Sequence, residues 1–153
     1  MGYRSDIVAV FYTTPVGDVK KTEEENEAWN KRNEAKLKLF VEENFPAEWK
    51  KPKWAENNEG LTMLESGTGV VFEFQISGVK WYESYPEVQK FDEFWDKFVA
   101  LADAEVEDDE ESDPVFWACE FVRLGENDDD VETKSSDEAQ FVLSVSRTIE
   151  RNY

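Results

Sequence analysis

Histidine is absent from this 153-residue sequence, and cysteine occurs once, at Cys119. Without histidine there are no Ser–His or Cys–His nucleophilic pairs and none of the usual zinc ligand sets. A lone cysteine excludes an internal disulfide framework and fits a reducing compartment. No apolar run reaches about 18 residues, so no membrane-spanning helix is expected. The opening MGYRSD lacks the apolar core of a signal peptide, and Asp6 stands where a myristoylation signal needs Ser or Thr. No catalytic constellation is recognisable. The expectation is a protein that is not an enzyme and uses neither cofactor nor metal.

Basic residues are scarce as well. Seventeen Lys and Arg face 36 Asp and Glu, for a net charge of −19. Residues 101–153 hold 17 acids and 4 bases, a net −13, so the last third of the chain carries two thirds of the excess. Such a field repels nucleic acid and anionic membrane and draws in basic surfaces. Acidity also serves solubility, which is the plain alternative. Aromatics are plentiful, with six Trp, five Tyr and eleven Phe. A disordered acidic chain would be poor in them. A single folded domain over 1–153 is expected, burying about 68–70% of its unfolded surface.

Periodicity supplies the elements. Ser5 to Thr13 reads as a strand, apolar on both faces and therefore central. Thr22-Glu23-Glu24-Glu25 fits a capping box for a helix reaching about Asn44, with a stripe of Ala28, Arg32, Ala35, Leu39 and Glu42, with Leu37, Phe40 and Val41 lying nearby, and with a second half that packs more firmly. Residues 46–60 read as a loop. In it Trp49 and Trp54 flank Lys50, Lys51 and Lys53, a mixture able to stack on single-stranded nucleic acid. The surrounding negative field favours tryptophans folded back on the core edge instead. Leu61 to Glu65 and Thr68 to Ile76 form a hairpin around Ser66-Gly67, and Ser77-Gly78 marks a bulge or turn.

Ser84 is placed to cap a second helix with Pro86 in its first turn, running to about Ala102. Val88, Phe91, Trp95, Phe98, Val99 and Ala102 recur at helical spacing and are core. A strand follows from Val115 to Leu124, then a turn over Gly125–Asp130 with a short extension to Lys134. The last strand spans Ala139 to Ile149. The order β-α-β-β-α-β-β predicts an α+β fold: a mainly antiparallel sheet of about five strands, two helices on one face, and an open face carrying Glu73, Gln75, Ser144 and Ser146.

Two acidic runs bracket the 115–124 strand. One holds Asp103, Glu105, Glu107, Asp108, Asp109, Glu110, Glu111 and Asp113. The other holds Glu126, Asp128, Asp129, Asp130 and Glu132. Carboxylates fixed on a rigid surface imitate a phosphate array and occupy a protein's nucleic-acid groove. The alternative is a pair of solvated, charged loops. The second run has the carboxylate density of a calcium site, but Thr133 and Ala139 stand where an EF-hand needs Gly and Glu. Asp130 with Glu132-Thr133-Lys134 has a superficial likeness to a two-metal nuclease, with too short a spacing and no basic substrate surface. Cys119 reads as packed core.

MGYRSD, GVKWYESYPEVQKFDEF and FVRLGENDDDVE resemble segments of small acidic accessory proteins encoded by lytic tailed bacteriophages. The resemblance omits the 18–34 helix start and the 103–113 run. It implies a phage origin and a host bacterial cytoplasm, and it carries over no functional residues. The resulting expectation is a protein that binds and inhibits a basic host nucleic-acid-binding protein, as a DNA mimic of anti-restriction or anti-CRISPR type. It would touch neither nucleic acid nor membrane directly, and both acidic runs would form the contact. The alternative is an interaction module whose surface is aromatic: Trp49, Trp54, Trp81 and Tyr82.

Overall fold

A computed structural model describes residues 3–14, 22–52, 59–66, 69–104, 115–127, 129–145 and 149–151. Strand β1 (Ser5–Thr13), apolar on both faces, lies at the centre of the main sheet. On one side it pairs with β3 (Gly69–Val79), which pairs with β2 (Gly60–Ser66). On the other it pairs with β4 (Trp117–Leu124), which pairs with β5 (Val131–Ser135). The order is β2-β3-β1-β4-β5, antiparallel throughout, and the fold is α+β.

Helices α1 (Glu23–Asn44), α2 (Ala47–Lys50) and α3 (Pro86–Ala102) cover one face. Alternation places Ile7, Ala9 and Phe11 of β1 on that face with Phe72, Phe74 and Ile76 of β3 and Cys119 and Phe121 of β4. Phe11 is the hub. Its ring meets those of Phe45, Phe91, Phe94, Trp95 and Phe98 edge-on, at centroid distances of 5.0–6.4 Å. As expected, α3 buries Val88, Phe91, Trp95, Phe98 and Ala102, together with Phe94.

Four expectations need correction. In α1 the Thr22 hydroxyl accepts the Glu25 N–H at 3.2 Å, but the buried stripe is Asn33, Leu37 and Val41. Ala28, Arg32, Ala35, Leu39 and Glu42 form the solvent side. The stripe is set by Asn33, whose amide exchanges two hydrogen bonds with the backbone of Phe116 at 2.9 and 3.0 Å and so ties the helix to the approach to β4. The residue capping α3 is Tyr85 rather than Ser84, and it makes no side-chain cap bond. Part of the 46–60 loop is helical: α2 places Trp49 in the core at 2% exposure.

The fourth concerns the last strand. Among the described residues, 139–145 and Ile149 do not join the main sheet, whose fifth strand is β5. Instead β6 (Leu143–Val145) and β7 (Ile149–Arg151) pair with each other. They close part of the face expected to be open, where Leu143 packs with Val8, Val10, Tyr12, Ala118, Val122 and Leu124. Ser144 lies in that cover, and Ser146 is outside the described residues. The cause is Glu120, buried on this face with its carboxylate accepting the N–H groups of Val142 and Leu143. Backbone donors that a ladder would use are turned to a side chain instead. Phe141, at φ 52°, makes the turn that permits it.

Candidate acidic interface

In the sequence one acidic run precedes β4 and the other follows it. Of the first run, Asp103 caps the C-terminus of α3, and its carboxylate accepts the Asp137 N–H at 3.0 Å. Glu105, Glu107, Asp108, Asp109, Glu110, Glu111 and Asp113 lie outside the described residues, as does Asp128 of the second run.

The second run is built into a corner. The Arg123 guanidinium donates to both carboxylate oxygens of Asp130, at 2.8 and 3.1 Å, and Tyr3 Oη donates to the same carboxylate at 2.5 Å. The bond to Asp130 holds the Arg123 pKa above its ordinary value. Glu126 accepts the Arg4 N–H at 2.9 Å, and Glu132 lies 3.7 Å from the Arg123 Nε. Tyr82 Oη accepts the Tyr3 N–H at 2.7 Å, while Arg4 donates to the Gly78 carbonyl at 2.7 Å. Tyr3 and Arg4, Gly78 and Tyr82, and Arg123, Glu126 and Asp130, distant in sequence, therefore meet at one end of the sheet. Asp130 is occupied by the fold, and Asp129 projects into solvent.

Another group of acids lies beside β5, on elements that hold them in place. Asp92 and Asp96 are one turn apart on α3. Partial burial, followed by the charges of Asp96, Glu83 and Glu132, pushes the Asp92 carboxyl above its ordinary range, against the pull of Lys134. Lys134 Nζ stands 3.8 Å from Asp92 and lies over the rings of Phe121 and Trp95 at 4.6 and 5.1 Å. Glu132 on β5 and Asp92 and Asp96 on α3 thus line this edge with carboxylates carried by a strand and a helix, with Asp129 in the turn before β5 and Asp103 at the end of α3. The sequence reading passed over Glu83, Asp92 and Asp96. The signal available was the i, i+4 spacing of Asp92 and Asp96 on the polar side of the strongest helix.

The aromatic alternative loses its centre. Trp49 is buried, and its indole N–H donates to the Glu87 carbonyl at 2.7 Å. Trp81 packs against the helix-side core, the Tyr82 hydroxyl is engaged by Tyr3, and Trp54 lies outside the described residues. Beside Trp49 a cleft of about 530 Å³ is lined by Ala47, Lys51, Pro86, Glu87 and the Glu48–Lys90 ion pair. Its two bases are matched by two acids.

Among the described residues, no three Asp, Glu or Cys side chains converge as metal ligands, and no helix is long and apolar enough to cross a membrane. No protein-family model matches this chain, and neither does any curated protein or solved structure.

Proposed function

We propose that this is an acidic accessory protein of phage type that binds a basic nucleic-acid-binding protein of the host bacterium and inhibits it. The contact is the β4–β5 side together with the acids of the two runs. The observation that supports this reading is the placement of Asp92 and Asp96 on α3 beside Glu132 on β5, where Lys134 stands 3.8 Å from Asp92. A phosphate mimic needs carboxylates held in place, because only fixed charges present a groove with the array it binds. The −13 of residues 101–153 adds a long-range field that steers basic partners toward the same side.

Association with such a partner follows the physics of phosphate binding and weakens steeply with salt. Changing the acids of 103–113 to their amides lowers the affinity and flattens that salt dependence. The measurement is capture of nucleic-acid-binding proteins from bacterial lysate by the wild-type and neutralised chains, at low and high salt. Equal capture by both chains at both salt concentrations would overturn the proposal.

A further inference from the structure

Glu120 is 3% exposed, and among the described residues it has no basic partner. Its carboxylate accepts three hydrogen bonds: from Tyr12 Oη at 2.6 Å, from Val142 N–H at 3.0 Å and from Leu143 N–H at 3.1 Å. Tyr12 Oη accepts in turn the Gln140 N–H at 2.7 Å. Three backbone donors within four residues therefore end on two side chains of the main sheet. Burial and the bond to Glu120 hold the Tyr12 phenol above its ordinary pKa, so it remains a donor.

We propose that residues 139–145, with the β6–β7 ladder, form a latched strap that opens from the sheet while the sheet and helices stay folded, and that Glu120 and Tyr12 are the latch. Three further observations carry this. The strands β6 and β7 pair with each other and not with the five-stranded sheet, so opening breaks no ladder of the main sheet. The hinge is defined: Ser136 exchanges bonds with the Cys119 backbone at 3.0 Å each way and the Asp137 N–H donates to Asp103 at 3.0 Å, so the chain stays attached through Asp137 and the strap moves beyond it. Phe141 is a non-glycine residue at positive φ and is 70% exposed, a strain that the closed strap sustains and the open strap releases.

Opening uncovers Val8, Val10, Ala118 and Val122, together with the two oxygen acceptors. The strap thus covers an apolar strip that already reads backbone N–H groups and holds a leucine. Local opening of this kind is distinguished from global unfolding by its own exchange rate.

The test is amide hydrogen exchange of the full chain across low denaturant concentrations. The amides of Gln140, Val142 and Leu143 should exchange at least about tenfold faster than those of β1, at a rate that low denaturant barely changes. Glu120→Gln should speed exchange at Val142 and Leu143 by about tenfold or more and leave β1 unchanged. Tyr12→Phe should act chiefly on Gln140. Strap amides exchanging at the rate of β1 in the wild-type chain would overturn the proposal. So would a Glu120→Gln chain in which β1 loses protection equally, or which no longer folds.

Discussion

Tyr3 Oη donates to the Asp130 carboxylate at 2.5 Å, joining residues 127 positions apart. The same hydroxyl accepts the Asn127 N–H at 3.1 Å, so one phenol fixes both the backbone and a side chain of the acidic turn. The residues that make this end of the sheet come from three stretches distant in sequence, around Tyr3, Tyr82 and Asp130. In this structure those stretches build a corner of the fold, and the acids in them are not equivalent.

Asp130 and Asp129 should therefore separate cleanly on substitution. Asp130→Ala leaves Arg123 and Tyr3 without their shared acceptor and should cost about 1–3 kcal/mol. Asp129→Ala, on an exposed neighbour, should stay within about 0.5 kcal/mol. Urea unfolding midpoints compare the two. Equal effects would contradict the distinction between a structural and a surface acid.

Gly125 is held to its identity by the same contact. A Cβ added there would lie 2.0 Å from Asp130 Oδ2 and 2.2 Å from Tyr3 Oη. Gly125→Ala should destabilise the chain by about 1–3 kcal/mol, in line with overpacking. The loss should shrink in a Tyr3→Phe, Asp130→Ala background, where the colliding atoms are gone. A double-mutant comparison by denaturant unfolding reads that coupling directly.

Stability should fall in alkali. Burial pushes the Cys119 thiol from its ordinary 9.0 up to about 12. From about pH 9 the unfolded chain gives up this proton while the folded chain keeps it, so the stabilisation present below 9 is lost as pH rises toward 12. The slope approaches ~1.36 kcal/mol per pH unit. Tyr12, also raised by burial and by Glu120, adds to the loss above its ordinary 10.0. Unfolding measured at about pH 8, 9 and 10 should show the decline, and Cys119→Ala should flatten it between 9 and 10. Native-state thiol labelling should be slow throughout that range.

The sheet centre and α3 were legible in the sequence because each follows from period alone. β1 is apolar on both faces and can only be central, and Val88, Phe91, Trp95 and Phe98 mark a single helical face. Periodicity failed where one side chain overrides it. In 139–149 the alternation of Phe141, Leu143 and Val145 is that of a strand, yet the N–H groups of Val142 and Leu143 serve Glu120. Glu120 was itself visible as a lone acid between Ala118 and Val122 on an apolar face, a position that obliges the fold to bring donors to it. β5 was underestimated because VETKS has no apolar alternation, which an edge strand does not need. The stripe of α1 was misplaced because its anchor is an asparagine. Of the acidic interface, the runs were plain in the sequence. The contribution of Asp92, Asp96 and Glu83 depends on α3 lying beside β5, a tertiary fact.

Competition with nucleic acid tests the central claim most directly. A basic nucleic-acid-binding protein captured by the chain is titrated with it in the presence of duplex DNA over a range of salt concentrations. The account predicts that DNA displaces the chain. It also predicts that the affinity falls steeply with salt, and that Asp92→Asn, Asp96→Asn and Glu132→Gln together weaken binding by about tenfold or more. A partner that holds DNA and this chain at once, with an affinity indifferent to salt and to those three substitutions, would contradict it.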